Sequence, residues 1–174
     1  MSIKNLKSTT LLLFIICFTL VISSCLNKDK KQSDEDSKSI TYPSDVIPFM
    51  DKWKILLGDG TRSEDLIGFH KEGFFYVESD DTGDWVVYKT PNSGVTSRTS
   101  SNTRTELGEK RHWIPEEGGK LTGTLKVQHV STTGDATAAS SYSVVVGQIH
   151  SDEGHENEPL KIYYKKFPGH TKGS

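Results

Sequence analysis

Two short motifs in the chain place charged and proton-transferring side chains at alternate positions. Residues Thr103 to His112 read TRTELGEKRH, and successive side chains of a strand point to opposite faces. A strand here would put Arg104 and Glu106 on one face, with Thr105 and Leu107 on the other. A cation beside an anion is consistent with a solvated surface, or with a groove that handles a charged ligand.

The second motif, QIH, ends an apolar run and brings an amide next to an imidazole. Strand alternation predicts one face made of Val144, Val146, Gln148 and His150. It predicts an opposite face made of Val145, Gly147 and a buried Ile149. For His150 taken alone, a strand-end histidine satisfied by a neighbouring group is the simpler interpretation.

The sequence around these motifs predicts strands separated by turns. Apolar or alternating segments that read as strands are Glu72–Ser79, Trp85–Tyr88, Gly118–Ser131, Ser141–Ser151 and Glu158–Phe167. The one helical candidate is short, over Val46–Asp51. Several short strands with frequent Gly and Pro turns predict an all-β fold, a β-sandwich of the jelly-roll type.

Composition limits the classes of partner. A chain of 174 residues suits one domain of ordinary size, and its formal net charge of −2 does not indicate a nucleic-acid partner. Its two cysteines, Cys17 and Cys25, both lie in the first segment. The rest of the chain therefore has neither a disulfide framework nor a cysteine zinc site.

The N-terminus reads as a secretory signal. Lys4 and Lys7 precede an apolar run from Leu11 to Ile22, which is short for a membrane span. The following Ser-Ser-Cys resembles a bacterial lipobox, which implies that Cys25 is lipidated and anchors the protein to the membrane. An ordinary signal peptide or an uncut anchor are the alternatives.

We therefore divide the chain into a lipoprotein signal (1–25), a flexible polar tether (26–42) and a folded domain (43–174). The expected location is the bacterial cell envelope, lipid-anchored to the outer membrane, or else secreted.

The RTEL and QIH motifs, in this order in a β-rich secreted chain, resemble polysaccharide lyase family seven, the alginate lyases. The segments DVIPFMDKWKILLGDG, VVYKTPNSGVTSRTSSNTRTELGE and LKIYYKK are similar to other parts of that family, so the resemblance runs from about Tyr42 to the chain end. It implies a jelly-roll enzyme, acting as a monomer without a cofactor, that cleaves alginate by β-elimination to unsaturated oligouronates.

The resemblance also implies roles for individual residues. Arg104 and Gln148 would neutralise the sugar carboxylate, and His150 would act as base. Glu106 would orient Arg104 or contribute to a substrate subsite. Three residues that share a face of the next strand would bind further uronates or form a solvated edge: Lys161, Tyr163 and Lys165. The isoleucine of QIH is associated in the family with guluronate or mixed blocks.

Two departures from the family are visible. Gly108 stands where a second arginine is common, and Lys110 or Arg111 is expected to supply that charge. The family's catalytic tyrosine lies in a late motif that YYKKFPGHT does not match. We therefore expect the 174-residue chain to lack the last strands and to be inactive alone.

Three further interpretations remain open at the level of sequence. A non-catalytic polyuronate-binding lipoprotein of the same fold is the main alternative, and a lyase for another uronate polymer is the next. The acidic loop HSDEGHENE, His150 to Glu158, could be read as a metal site. Its spacing matches no common ligand motif, so we expect no metal.

Overall fold

We describe the protein from a computed structural model, in which the described residues are 39–96, 100–138, 140–151 and 158–174. All of them except Ser39 belong to one compact unit, Ile40–Ser174. The predicted signal segment, most of the tether and Cys25 lie outside the described residues, as does most of the acidic loop. No helix in the described ranges is long and apolar enough to cross a membrane.

Short strands account for most of the regular structure of the described residues. In chain order they are β1 (Trp53–Leu56), β2 (Arg62–Ser63), β3 (Phe75–Asp80), β4 (Gly83–Tyr88), β5 (Glu106–Glu109), β6 (Ser143–Ile149) and β7 (Leu160–Lys165). Helix is limited to one turn, α1 (Pro43–Val46), and a 3-10 turn at Met50–Lys52. The predicted all-β class is confirmed.

The predicted helix over Val46–Asp51 is wrong in its bounds. The helical turn begins earlier, at Pro43, whose fixed φ suits a first helical position. It ends at Val46, and the following Ile47 is extended with φ −112° and ψ 99°. Pro48 follows, and the residue before a proline is sterically disfavoured in the helical region. One proline therefore divides the predicted helix into two turns.

A three-stranded antiparallel sheet in the order β2-β1-β5 carries the second half of the RTEL motif, Glu106 and Leu107. Arg104, expected on the strand, precedes it. On β1, Ile55 pairs with Ser63 of β2 and Leu107 of β5, and it is buried. Leu56 pairs with Arg62 and Glu106. Since directly opposed residues share a face, one face packs inward and the other carries the charged residues.

The inward face covers the hydrophobic core. Five buried side chains form this core: Met50, Ile55, Leu57, Leu66 and Phe75. Partly buried residues from both sheets pack against it, including Trp53, Leu107 and Val86. The core thus joins the β2-β1-β5 sheet to the β3-β4 hairpin and gives the RTEL strand a rigid support.

The β3-β4 hairpin is fastened to a later segment of the chain. Lys126 Nζ lies 2.6 Å from Asp80 Oδ2 and 4.1 Å from the centre of the Trp85 ring. The hydrogen bonds from Lys126 and then from Thr82 hold the pKa of the Asp80 carboxyl below its ordinary value. An ion pair and a cation–π contact therefore position Lys126 over the hairpin.

The segment that carries Lys126 corrects a second prediction. Alternation over Gly118–Ser131 predicts a strand, but the structure has none there, and no described strand pairs with it. Leu121 and Leu125, which alternation would put on one face, are 64% and 56% exposed. A segment with alternating apolar and polar residues forms a strand only when a neighbouring strand supplies partners for its backbone hydrogen bonds.

The hairpin of β6 and β7 corrects the predicted faces of the QIH strand. Val145 pairs with Tyr163 and Gly147 pairs with Ile162, so the register shifts at Val146. Such a bulge inserts one residue and changes which side chains share a face. Beyond it, Gln148 pairs with Lys161.

Pairing after the bulge puts Gln148 on the face of Val145 rather than that of Val144. The prediction that Ile149 is buried is also wrong, since the side chain is 47% exposed. It shares its face with Leu160 and Ile162, which are also exposed in the described chain.

Candidate functional site

An ion pair joins the two charged residues of the RTEL motif. Arg104 Nη1 donates a hydrogen bond to Glu106 Oε1 at 3.0 Å. Both side chains remain partly exposed, at 32% and 38%. The pair therefore holds the guanidinium in a defined orientation and leaves donors available to a ligand carboxylate.

Two threonines that the sequence analysis did not single out hold the backbone on either side of Arg104. Thr105 Oγ1 accepts from the Gly58 N–H at 3.1 Å and donates to the Lys89 carbonyl at 2.7 Å. Thr103 Oγ1 donates to the Pro91 carbonyl at 2.5 Å. The sequence signal that could have identified them is the Thr-Arg-Thr pattern. In an extended chain, residues i and i+2 share a face, so the two threonines point away from the arginine side chain.

The outward face of the β2-β1-β5 sheet is rich in cations. By register, this face carries Arg62 and Leu56 beside Glu106, and Lys54 beside Gly108. Arg104 joins it through its ion pair with Glu106. On these three described strands and at Arg104, three cations thus surround one carboxylate. The face as a whole favours an anionic ligand.

Lys110 and Arg111 were expected to replace the charge that an arginine at position 108 would carry. Both side chains bind other groups of the protein instead. Lys110 Nζ donates to the Asp51 carbonyl at 2.8 Å, and Arg111 pairs with Glu117 at 2.5 Å. With Lys52 and Glu109, the two cations line an open cavity of about 460 Å³ at the end of the strands.

Lys54 is the cation that lies over Gly108. A Cβ placed on Gly108 would be 3.5 Å from Lys54 Cε and 3.6 Å from its Cγ. The lysine stem therefore crosses the space that a side chain at position 108 would enter. The lysine is exposed, and in the described part of the chain its ammonium has no ion-pair or hydrogen-bond partner.

His150 follows β6 and has a defined tautomer. Its Nδ1 lies 2.7 Å from the Ser151 carbonyl oxygen, which can only accept a hydrogen bond. A neutral imidazole must therefore carry its proton on Nδ1, which leaves the Nε2 lone pair as the proton acceptor. The contact agrees with the expectation of a strand-end histidine satisfied by a neighbour, and it also prepares Nε2 for proton transfer.

The three residues expected to bind further uronates lie on one face of β7, which is also the face of Gln148. By register, Gln148 opposes Lys161 and Val145 opposes Tyr163. Lys161 pairs with Glu158 at 3.1 Å. Lys165 Nζ donates to the Ala138 carbonyl at 3.0 Å and lies 4.9 Å from the Phe167 ring centre. Both ammonium groups thus have partners within the protein.

The structure therefore assembles the predicted site in two parts. It brings Arg104 to Glu106, and it places Gln148 on one face with Lys161 and Tyr163. Across the described ranges, no hydrogen bond or ion pair links Arg104 to Gln148 or His150. A ligand that reaches both parts is what would connect them.

The described residues hold no group of three or more His, Cys, Asp and Glu side chains suited to a metal ion. Residues 152–157 of the acidic loop lie outside them, so the absence of a metal stays a prediction.

The all-β fold and the arginine-centred cationic sheet face define a class of β-sheet protein suited to an acidic ligand. A family model described as alginate lyase matches residues 47–174. The match covers most of the chain, and the protein belongs to this family.

Two relatives support the assignment. The chain is 31% identical over 144 residues to an alginate lyase of Klebsiella pneumoniae, covering 67% of this chain and 45% of that protein. The crystal structure of the exolytic PL7 alginate lyase AlyA5 from Zobellia galactanivorans superposes with a TM-score of 0.73 at 77% identity. That match covers 76% of this chain and 43% of the other.

The fold class is thus confirmed as the jelly-roll type of this family. The chain spans less than half the length of either relative.

Proposed function

We propose that the protein is an alginate lyase that cleaves the 4-O-glycosidic bond by β-elimination. The observation that carries the proposal is the Arg104–Glu106 pair on the cationic sheet face, since a uronate polymer presents one carboxylate per sugar. Membership of the alginate lyase family supports the same activity.

The chemistry begins with the acidity of the sugar C5–H, which lies next to the carboxylate. Removing this proton builds negative charge on a group that is already an anion. Arg104 donates to the carboxylate bidentately and Gln148 donates an amide N–H, so both stabilise the developing charge. Glu106 orients Arg104 through the hydrogen bond between them.

His150 takes the C5 proton at Nε2, because the Ser151 carbonyl keeps the other ring nitrogen protonated. The electron pair of the C5–H bond forms the C4–C5 double bond, and the bond from C4 to the glycosidic oxygen breaks. An acid protonates the departing oxygen. The family resemblance gives that role to a tyrosine in a later motif that this sequence does not contain.

The test uses the intact protein, including any segment that follows Ser174. Mixed with alginate, it should raise ultraviolet absorbance as the unsaturated product forms. Arg104→Ala with His150→Ala should lower that rate by about 10²-fold or more. Full-rate depolymerisation by the double variant would contradict the proposed roles.

Binding of alginate without any rise in absorbance would instead favour the alternative, a polyuronate-binding module. A rise seen with other polyuronates and absent with alginate would favour a lyase of different substrate class.

Two finer features belong to the same proposal. The 77% identity to a relative described as exolytic supports release of short products from chain ends. Ile149 of QIH supports a preference for guluronate or mixed blocks. Chromatography of early products from polyguluronate, polymannuronate and alternating substrates tests both, because an internal cut would give long intermediates first.

Lipid anchoring through Cys25 completes the proposal. Its support is the sequence alone: a positive start, an apolar run and Ser-Ser-Cys. In a bacterial host, Cys25→Ser should shift the protein from the membrane fraction to the soluble fraction. Mass spectrometry of the mature N-terminus should find a diacylated or triacylated cysteine in the unmodified chain.

A further inference from the structure

The charged face of the β2-β1-β5 sheet contains a gap at Gly108, and a lysine from the neighbouring strand fills it. Lys54 and Gly108 are register partners on β1 and β5. The Lys54 stem passes 3.5–3.6 Å from where a Cβ of residue 108 would stand. Its ammonium lies one bond beyond Cε.

The charged residues near Lys54 already have partners within the protein, whereas the Lys54 ammonium does not among the described residues. Glu106, the carboxylate of β5 on this face, accepts its hydrogen bond from Arg104. The cations further along, Lys110 and Arg111, bind protein oxygens. Lys54 is exposed, and among the described residues it has no polar partner of its own. An ammonium without a partner among the described residues, on the same face as the Arg104–Glu106 pair, is suited to a second ligand anion.

From this geometry we infer that Lys54 is a substrate-binding residue, which holds the carboxylate of the uronate next to the one bound at Arg104. Lys54 lies opposite Gly108, and Glu106, whose carboxylate holds the Arg104 guanidinium, is two residues from Gly108 on the same face. Same-face positions two residues apart on a strand are about 6.8 Å from each other. A polyuronate has a carboxylate on each successive sugar, so the polymer can engage Arg104 and Lys54 together. The inference rests on the proposed function and specifies one of its subsites.

This role affects binding more than the chemical step. Lys54 would contact a carboxylate that keeps its charge throughout the reaction, so its contribution is the same in the ground state and in the transition state. Such uniform binding lowers KM and leaves kcat nearly unchanged. Arg104, by contrast, contacts the sugar where charge develops.

The test is a charge relocation in the intact protein. Lys54→Gln should raise KM for alginate roughly tenfold, the loss of one charge-assisted contact, with little change in kcat. Lys54→Arg should keep the wild-type KM. Adding Gly108→Arg to Lys54→Gln should restore it, because a Cβ at position 108 would meet the residue 54 stem only at ordinary contact distance and Gly108 does not have a positive φ.

Lys120→Gln, at an exposed lysine in another segment, is the matched control and should leave KM unchanged. Thermal denaturation of each variant shows whether the fold is kept. An unchanged KM in Lys54→Gln, or a rise equal to that in Lys120→Gln, would overturn the inference. So would a loss in kcat with KM unaffected.

The wild-type protein separates this inference from the proposed function. If it cleaves alginate and Lys54→Gln keeps its KM, only the subsite is wrong. If it binds an alginate tetrasaccharide without cleaving it, calorimetric Kd values of the same variants replace KM. If it neither cleaves nor binds, both the function and the subsite are wrong.

Discussion

The orientation of Arg104 depends on the residues that surround it. Glu106 fixes the guanidinium, and Thr105 fixes the backbone between them through one accepted and one donated hydrogen bond. A bidentate clamp is sensitive to small displacements, since its two parallel hydrogen bonds need the carboxylate in one plane. The hydroxyl of Thr105 is therefore a positioning group for the charged face.

Thr105→Val tests this role with nearly the same side-chain volume. It leaves the Gly58 N–H and the Lys89 carbonyl without their partner, which costs about 1–3 kcal/mol. We expect kcat/KM on alginate to fall about tenfold in the intact protein, measured well below the melting temperature.

Thr105→Ser keeps the hydroxyl and should retain most of the activity. Equal rates for the valine variant and the wild-type protein would show that these hydrogen bonds do not position Arg104.

At the scale of elements, the RTEL strand depends on the loop between β4 and β5. This loop packs against Gly58, whose carbonyl accepts from the Val95 N–H at 2.8 Å. A Cβ on Gly94 would be 2.2 Å from the same carbonyl oxygen and 2.8 Å from Thr103 Cγ2. The close approach of two backbones thus requires glycine at position 94.

Gly94→Ala should destabilise the fold by about 1–3 kcal/mol, because backbone atoms cannot move aside as a flexible side chain can. Urea unfolding of the wild-type and variant proteins measures the difference. Gly123→Ala is the control, since a Cβ there meets no atom within 4 Å. Equal midpoints for Gly94→Ala and the wild-type protein would refute the close approach.

The turn between β1 and β2 is fastened by an ion pair between its Asp59 and Lys71, a residue that follows β2. Hydrogen bonds from Lys71 and from the Thr61 N–H lower the pKa of Asp59 from 3.8 to about 2. A carboxylate whose pKa is lower in the folded state stabilises it above the unfolded pKa. That contribution is lost as the pH falls through the folded pKa.

Asp59→Asn should therefore be less stable than the wild-type protein near neutral pH, with the difference shrinking between about pH 4 and pH 2. Thermal melts across this range provide the measurement. Asp81→Asn removes an exposed carboxylate from another turn and is the control. A stability difference that stayed constant down to pH 2 would contradict the lowered pKa.

For the whole molecule, charge distribution matters more than net charge. The formal net charge is −2, yet the outward sheet face carries Arg62, Lys54 and Arg104 around one glutamate. The net charge of the protein therefore weakly repels an anionic polymer, and only the cationic sheet face can attract it. Attraction of this kind acts over a short range and is screened by salt.

Raising the ionic strength from about 0.1 M to about 1 M shortens the Debye length from about 10 Å to about 3 Å. We expect alginate binding to weaken by about tenfold or more over this range. A neutral polysaccharide of similar length should bind poorly at both salt concentrations. Salt-independent binding of alginate would show that the cationic face is not the binding surface.

Much of the fold and of the candidate site could be predicted from the sequence, because local residue patterns determine where strands and turns form. The sequence predicted strands over Glu72–Ser79, Trp85–Tyr88 and Ser141–Ser151, and the structure has strands at Phe75–Asp80, Gly83–Tyr88 and Ser143–Ile149. Alternation also placed Leu107 on the face opposite Arg104 and Glu106, and Leu107 packs against the core. Proline and glycine predicted the turns. Only backbone geometry and the period of apolar residues are needed for such conclusions.

Contacts between residues that are distant in sequence could be read only from the tertiary structure. The bulge at Val146 reversed the faces of the QIH strand, and Gly118–Ser131 remained without a strand partner in the described chain. Lys54 came to lie over Gly108, and the Ser151 carbonyl selected the His150 tautomer. By itself, the sequence determined which side chains alternate along each strand. Which strands are neighbours, and in what register, depends on long-range packing that no local pattern encodes.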